Sequence, residues 1–373
     1  MIASPSSLSF SPKARQGFAA DRRLRAAGLL LLSVLLLSGC NRKSGTVLET
    51  AYVSAPQVAL RDRVAAVYNK VGVVKNGEPV EVLERSRNGR FVRVRAGVSE
   101  GWMEQRYLVN QQVFDGFQQL ATGHAKTPVA AHALTRAELN MHLRPLRDSE
   151  RLFQVDQGEK VELLERASSP KPSPPQAMAA LPSAKPDAVA AKPGAGRAAA
   201  PAGSGAPPPV LEDWWLARDA RGHAGWVLGR LLDVDVPLEV AQYAEGQRII
   251  ACFVLNEVTD GEKKIPQYLM LLNEPKDGQP FDYNQARVFT WNPKRSHYET
   301  AYRERKLAGV LPVRVSTARF GKEGELPVFT LRIIKDADGN LEERKYKLNG
   351  VMVRRVTAEG GAAAATPRAK RRR

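Results

Sequence analysis

The feature that most constrains what this chain can fold into is an internal repeat. Residues 77–85 read GEPVEVLER and residues 158–166 read GEKVELLER, so seven of nine positions are identical at an offset of 81. Further on the offset becomes 124: Phe91, Gly101-Trp102, Arg106 and Leu108 match Trp215, Gly225-Trp226, Arg230 and Leu232. The second copy is therefore 43 residues longer in one place, and the repeat predicts two structural units of one kind.

The extra length of the second copy coincides with a segment of biased composition. Residues 168–210 number 43 and contain 11 of the chain's 25 prolines, 13 alanines and no aromatic residue. Such a segment buries too little apolar surface to offset the entropy of ordering it. We therefore predict a disordered insert between two strands of the second copy, where a long surface loop costs little free energy.

Each copy has the pattern of short β-strands joined by tight turns. In the first copy, apolar residues alternate with charged ones over residues 80–82 and 91–95, and Asn76-Gly77 and Asn88-Gly89 are turn signals. The predicted elements are an opening strand near residues 58–61, a Gly-Glu turn into a second strand, a hairpin to an aromatic-led strand, and Gly-Trp entering a last strand.

That order of elements resembles the bacterial SH3-like domain, a small β-barrel common in envelope proteins. The first copy carries the resemblance in Leu60-Arg61, Gly77, Phe91-Val92-Arg93-Val94, Gly101-Trp102-Met103 and Tyr107-Leu108. The second carries it in Leu143-Arg144-Pro145, Gly158, Trp214-Trp215-Leu216, Gly225-Trp226-Val227 and Leu231-Leu232. The resemblance implies two SH3-like β-barrels that bind a component of the cell envelope.

The C-terminal third shows no repeat but continues the β pattern. Eight β-type segments follow one another between residues 248 and 356, and Asp260-Gly261, Asp277-Gly278 and Asp338-Gly339 supply turn signals. This density of short strands predicts an antiparallel barrel or sandwich. The predicted fold class is therefore all-β: two small SH3-like barrels, the second with a disordered insert, plus a C-terminal β-domain.

The N-terminus has the pattern of an export signal. Basic residues precede an apolar run over residues 26–37, too short to span a membrane as a helix. The run ends in Leu37-Ser38-Gly39-Cys40, which resembles the lipobox of bacterial lipoproteins. The resemblance implies that Cys40 is acylated, and that Asn41 after it directs the protein to the outer membrane, facing the periplasm. A buried helix with a chance cysteine and an uncleaved anchor are the alternatives.

These patterns together predict the domain organisation. The predicted segments are a lipoprotein signal peptide 1–39, a short tether 40–51, SH3-like domain 1 over 52–109, a linker 110–137, SH3-like domain 2 over 138–236 with its insert 168–210, a C-terminal β-domain 237–357 and a disordered basic tail 358–373.

Two groups of side chains are candidates for ligand contact. The aromatic candidates, as shelves for a glycan or peptide, are Phe91, Trp102, Trp214, Trp215 and Trp226. Because neighbouring strand residues face opposite ways, one of Trp214 and Trp215 should be exposed, whereas Trp102, Trp215 and Trp226 could instead pack the barrel cores. The anion-contact candidates are Arg85, Arg87, Arg93 and Arg95, on two strands of one hairpin; a solvated strand face is the alternative.

No pattern for catalysis, a cofactor or a metal ion stands out. The five histidines form no helical zinc pair, and phosphate-binding or dinucleotide-binding glycine motifs are missing from the sequence. Cys252 with the later His297 has the order of a cysteine peptidase, but Cys252 lies in an apolar run typical of a buried thiol. The run 336–340 could be a calcium loop, although its Asp-Gly pair favours a hairpin turn.

The formal charge of +17 does not indicate a nucleic-acid partner once it is divided along the chain. The signal peptide holds +4, the insert +3 and the tail +4, and residues 40–110 carry +5. The excess on a folded unit thus lies mainly beside the lipid anchor and favours anionic envelope partners. The leading hypothesis is a non-enzymatic, lipid-anchored envelope protein that binds peptidoglycan or another anionic envelope component through its SH3-like modules. The alternatives are a protein-interaction adaptor that presents the C-terminal domain, and an unrecognised envelope hydrolase in residues 237–357.

Overall fold

A computed structural model describes residues 46–172 and 209–356. All the strands and helices described below belong to one compact unit, which begins at Glu49. The predicted signal peptide with its lipobox, the basic tail and most of the predicted insert lie outside the described residues. Two predicted bounds are wrong, because residues 49–51 of the tether and 168–170 of the insert belong to strands.

Module 1 is a seven-stranded antiparallel sheet over residues 49–110. Its strands are β1 (Glu49–Val53), β2 (Gln57–Arg61), β3 (Lys70–Lys75), β4 (Pro79–Arg85), β5 (Phe91–Ala96), β6 (Ser99–Glu104) and β7 (Leu108–Asn110), in the order β3-β2-β6-β5-β4-β1-β7. The core is aliphatic and includes Leu60, Val82 and Val94. The glycine of the predicted Gly-Glu turn, Gly77, has a φ of 77°, which favours glycine because it has no Cβ.

Module 2, over residues 131–234, repeats module 1 strand for strand. Its strands are β8 (Ala131–Thr135), β9 (Leu139–His142), β10 (Arg151–Val155), β11 (Lys160–Pro170), β12 (Leu211–Arg218), β13 (Ala224–Leu228) and β14 (Leu232–Val234), in the order β10-β9-β13-β12-β11-β8-β14. This is the order of module 1 with every number raised by seven. The two like units predicted from the repeat are therefore present.

The stretch 110–137, expected as a linker, contains a helix and a strand. Helix α1 (Gln111–Gly123) is capped by the preceding residue, Asn110, whose side chain accepts a hydrogen bond from the amide of Val113 at 3.0 Å. Phe114 stacks on Tyr52 of module 1, and Phe117 packs edge-on against Phe153 of module 2. The stretch thus fills the junction between the modules, and β8 is the first strand of module 2.

The C-terminal sheet is a seven-stranded antiparallel meander in sequence order. Its strands are β15 (Arg248–Asp260), β16 (Lys263–Asn273), β17 (Tyr283–Asn292), β18 (His297–Phe320), β19 (Gly324–Ile334), β20 (Leu341–Asn349) and β21 (Met352–Val356). Eight strands were expected, but 297–303 and 311–317 belong to the single long strand β18, whose pairing with β19 shifts register between Val310 and Arg314. Short helix α2 (Leu238–Ala241) places Val240 against Tyr268 and Phe289.

Module 2 and the C-terminal sheet share one apolar core, which includes Trp215, Ile250 and Leu271. A buried ion network also joins them. The guanidinium of Arg166 donates to Asp213 at 2.9 Å and to Asp282 at 2.7 Å, and its side chain is only 8% exposed. The remaining donors reach the carbonyls of Gln279 and Phe281. These two parts form one continuous packed body.

The all-β class is confirmed: three antiparallel sheets and two helices make up the described residues. Neither helix in this part of the chain has the length and apolar character needed to cross a membrane.

Candidate functional site: the outer face of module 1

The strand pairing identifies which side chains of the two modules occupy the same place. Phe91 lies opposite Glu104 in module 1, and Trp214 lies opposite Leu228 in module 2. Trp214, not Trp215, is therefore the counterpart of Phe91. The offset is 123 on β12 and 124 on β13, because the turn between these strands is one residue longer in module 2.

The same pairing identifies the other positions on the face of the sheet that carries Phe91 in module 1 and Trp214 in module 2, which we call the outer face. Trp102 lies between Arg93 and Arg61, and Trp226 lies between Leu216 and His142. Arg61, Arg93 and Glu104 of module 1 thus correspond to His142, Leu216 and Leu228 of module 2, in that order. The outer face is polar with aromatic rings in module 1 and predominantly apolar in module 2.

The outer face of module 2 is buried. Trp214 is 1% exposed and Trp226 is 9% exposed, and both belong to a cluster that Leu120 and Ala121 of helix α1 cover. Trp215 points the other way, into the core shared with the C-terminal sheet. The expectation that one of the two adjacent tryptophans is exposed is wrong: they do face opposite ways, but another element covers each face.

His142 of module 2 cannot replace the cation of module 1. Its ring lies edge-on to Trp214 at 5.1 Å between centroids. Burial, followed by the nearby charge of Arg151, lowers the pKa of His142, which favours the neutral ring. At the place of Arg61 the second module therefore has no fixed positive charge, and Arg218, which it keeps on this face, is bonded to Glu162 at 2.7 Å.

The outer face of module 1 is open and combines cations with rings. The guanidinium carbon of Arg61 lies 4.2 Å from the ring centroid of Tyr68 and 5.4 Å from that of Phe91. Arg90 lies 5.5 Å from the same Phe91 ring. Contacts of this length are within the range of cation–π attraction, which favours keeping these guanidinium groups beside the rings. Tyr68 is exposed, and Phe91 and Trp102 are half-buried.

Trp102 and Arg93 extend this face across the sheet. Trp102 is not part of the apolar core of module 1, so the alternative that it packs the barrel interior is wrong. The Nε atom of Arg93 is shielded from solvent and has no hydrogen-bond partner among the described residues; the nearest carboxylate oxygen, of Glu84, is 3.7 Å away. A shielded guanidinium donor without an acceptor is costly. The side chain of Arg93 as a whole is 40% exposed, so the rest of its guanidinium can meet an oxygen from a ligand.

The four arginines predicted as an anion site divide into two kinds. Arg85 is bonded to Glu49 at 2.5 Å and to Gln105 at 2.7 Å, and Arg95 is bonded to Glu100 and Glu81 at 2.8 and 3.0 Å. The hydrogen bond to Glu100 raises the pKa of Arg95. Arg87 is exposed in the turn after β4. The sheet thus bonds Arg85 and Arg95 closely to carboxylates, whereas Arg93 has its carboxylate, of Glu84, at 3.7 Å and is the one of the four that lies opposite Trp102.

Sequence reasoning missed Arg61, Tyr68 and Arg90. Arg61 could have been found, because it belongs to the Leu-Arg opening strand on which the resemblance to SH3-like domains rests. Tyr68 could not, because it lies in the loop 62–69 and reaches Arg61 only through the path of that loop. The candidate site is the set Arg61, Tyr68, Phe91, Arg93 and Trp102, which we call the open face.

The candidates for other chemistry lie elsewhere. Cys252 packs beside the cluster of Tyr268 and Phe289, and burial raises the pKa of its thiol to about 12. His297 is at the exposed start of β18, with Nδ1 3.1 Å from the carbonyl oxygen of Arg295. The run 336–340 is a hairpin turn in which Asp336 accepts two hydrogen bonds from Asn340. Residues 46–172 and 209–356 contain no group of His, Cys, Asp and Glu that could hold a metal ion.

Comparison with known proteins agrees with the assignment of module 1. Residues 57–109 match the family model described as a bacterial SH3 domain. No curated protein matches the chain. Two solved structures from Trichomonas vaginalis, those of NlpC2 and NlpC1, are each 9% identical and cover 79% of this chain and 91% and 87% of their own. Their TM-scores are 0.15 and 0.16, too low to carry an argument.

Proposed function

We propose that this protein is a non-enzymatic, lipid-anchored envelope protein whose first module binds peptidoglycan through the open face. The observation that carries the proposal is the contrast between the modules: only module 1 leaves its rings and arginines uncovered. The match of residues 57–109 to the bacterial SH3 family supports an envelope ligand. The lipobox at residues 37–40 supports anchoring through Cys40, in the outer membrane and facing the periplasm.

The chemistry of the open face suits a ligand with a carboxylate beside an apolar surface. The side chain of Arg93 is 40% exposed. The guanidinium carbon of Arg61 lies over the Tyr68 ring, and its nitrogens make no hydrogen bond or ion pair with the residues that the structure describes. A carboxylate accepts such donors in a charge-assisted pair. Trp102 and Phe91 offer flat apolar surfaces beside it. Peptidoglycan has carboxylates on its peptides and apolar faces on its sugar rings.

Co-sedimentation of the full chain with purified cell-wall sacculi tests this proposal. We expect the wild-type chain to sediment with sacculi at low salt, and Arg61→Ala and Trp102→Ala to remain largely in the supernatant. Arg319→Ala removes an exposed arginine of the C-terminal sheet and is the matched control, which should bind as the wild type does. Equal retention of all four proteins would show that the open face is not the site.

One observation favours the adaptor as a second candidate. Module 2 is fused to the C-terminal sheet by a shared core and by the buried Arg166 network, which makes this half of the molecule a rigid platform. An adaptor requires such a platform but no affinity for the cell wall. Failure of the wild-type chain to sediment with sacculi at low salt would favour the adaptor over peptidoglycan binding.

A further inference from the structure

One end of module 1 carries an unusual group of exposed apolar side chains. Val67 is 85% exposed and Val98 is 96% exposed, and Val64 and Val71 are also exposed. We call these four valines the apolar tip. Exposed aliphatic residues are ordinary when scattered, but a group of them on one surface marks a contact site.

The backbone brings the four valines of the apolar tip to the same end of the module. Arg61 pairs with Trp102 in antiparallel β2 and β6, so the loop after Arg61 and the turn before β6 leave the sheet at one end. A Cβ atom built on Gly101 would lie 2.8 Å from Cγ2 of Val71, and one built on Gly72 would lie 3.0 Å from Cβ of Ser99. The start of β3 therefore lies against the turn that carries Val98.

The loop that carries Val64 and Val67 is held closed at its base. The amide of Asp62 donates to the carbonyl of Asn69 at 3.0 Å, and the amide and side chain of Asn69 donate to the carboxylate of Asp62 at 2.9 and 3.1 Å. The side chain of Arg63 donates to the same carboxylate, and these bonds hold the pKa of Asp62 well below its usual range. A clamped base keeps the valines outside instead of letting them fold onto the sheet.

The charges around the apolar tip are mainly positive. Arg61, Arg63 and Lys70 lie in or beside the loop 62–69. Of the nearby acids, Asp62 is bonded to Arg63 and Glu100 to Arg95. The surface around the tip therefore complements an anionic one, to which each nearby basic residue adds about 1 kcal/mol of attraction.

We propose that the apolar tip of module 1 inserts into the interface of an anionic phospholipid bilayer. Exposed valine side chains offer no hydrogen-bonding groups to a protein partner, whereas a fluid bilayer adapts to them. The proposal builds on the lipid anchor proposed above, because Glu49 follows Cys40 by only nine residues. Tyr68 of the open face lies in the same loop as Val64 and Val67 of the apolar tip. The proposal therefore places the open face next to the bilayer surface.

The experiment places an environment-sensitive fluorophore on the tip of the full, acylated chain. The fluorophore is attached at Val67→Cys or, as a control, at Glu262→Cys in the exposed turn between β15 and β16. Each protein is reconstituted into phosphatidylethanolamine vesicles with and without phosphatidylglycerol. We expect a blue shift and quenching by lipid-borne nitroxides at position 67 on anionic vesicles, reduced on neutral ones, and water-like emission at position 262. Val98→Asp should abolish the shift at position 67.

The outcomes separate the tip from the anchor. Water-like emission at position 67 on vesicles that the chain does bind would overturn the insertion of the tip and leave the anchor intact. Failure of the chain to float with vesicles at all would overturn the anchor and this proposal with it. Shielding of position 67 by sacculi but not by vesicles would assign the tip to the cell wall and overturn its assignment to lipid.

Discussion

Modules 1 and 2 have the same strand order, but they differ in whether the outer face of the sheet is exposed. In module 1 the outer face holds Trp102 between two arginines and is open. In module 2 it holds Trp226 between a leucine and a histidine and is buried under helix α1. The comparison teaches that a repeat can conserve a fold while its two copies take different roles.

Helix α1 accounts for the difference. It follows module 1 directly and lays Leu120 and Ala121 on the outer face of module 2. With this face covered, a cation there would lose its hydration without a partner, which is costly, and leucine takes the place of Arg93. Module 2 is then free to serve as the base for the C-terminal sheet. The predictions below compare matched positions of the two modules.

The largest expected difference is between Arg166 and Arg85, which occupy the same place in the repeat. Arg166→Met leaves the carboxylates of Asp213 and Asp282 without their buried partner, and we expect the free energy of unfolding to fall by about 3–5 kcal/mol. Arg85 is 43% exposed and pairs with Glu49 at the surface, so Arg85→Met should cost at most about 1 kcal/mol. Denaturant titration of both variants measures the difference. Equal costs would mean that Arg166 does not join module 2 to the C-terminal sheet.

Trp214 and Phe91 form the second matched pair. Trp214→Ala removes a fully buried ring and should lower the free energy of unfolding by about 3 kcal/mol, without changing retention on sacculi per folded molecule. Phe91→Ala should cost less stability, because Phe91 is half-buried, yet it should weaken binding. Chemical unfolding and co-sedimentation, run on both variants, check the two effects. A Trp214 variant that is stable but no longer binds would reverse our assignment of roles.

Binding itself provides the third comparison. Trp102→Ala should weaken affinity for cell-wall fragments by at least about 1 kcal/mol, which is roughly fivefold. Trp226→Ala, at the equivalent position, should leave affinity unchanged once the folded fraction is taken into account. Isothermal titration with soluble muropeptides measures both. The comparison fails if the two substitutions weaken binding alike.

The smallest effect concerns the part of module 2 that module 1 lacks. Strands β11 and β12 extend beyond their counterparts, and Glu212 in this extension is bonded to Arg147 at 2.6 Å. The hydrogen bond from Arg147 lowers the pKa of Glu212 from its ordinary value of 4.5. Its stabilising contribution is therefore present above that value and is lost as the pH falls through the lowered pKa. The melting temperature of Glu212→Gln should fall less than that of the wild type between about pH 5 and about pH 3. Identical pH profiles would show that this pair contributes nothing.

Much of the fold could be predicted from the sequence, because a repeat and an alternating pattern report local structure directly. The matching runs 77–85 and 158–166 include all of β4 and the start of β11, and the Gly-Trp pairs are in β6 and β13. Strands β1, β3 and β7 and their counterparts β8, β10 and β14 were missed, because they lie outside the patterns from which strands were predicted. Helix α1 was missed as well, although Val113, Phe114, Phe117 and Leu120 have helical spacing.

The candidate site was harder to predict, because exposure depends on what else covers a face. Alternation placed Trp214 and Trp215 on opposite faces, and this is what the structure has. Which face is open depends on helix α1 and on the C-terminal sheet, and a local pattern contains neither. Likewise, the charge of Arg85 and Arg95 is visible in the sequence, but their acidic partners come from other strands.

Oxidative footprinting of the tryptophans tests the central claim most directly. Hydroxyl radicals label accessible rings, and a single experiment on the full chain compares Trp102 with Trp214, Trp215 and Trp226. We predict that Trp102 is labelled in the free protein and protected by sacculi, and that the three tryptophans of module 2 are labelled weakly in both states. Labelling of Trp214 or Trp226 as strong as that of Trp102, or no protection of Trp102 by sacculi, would contradict the division of roles between the two modules.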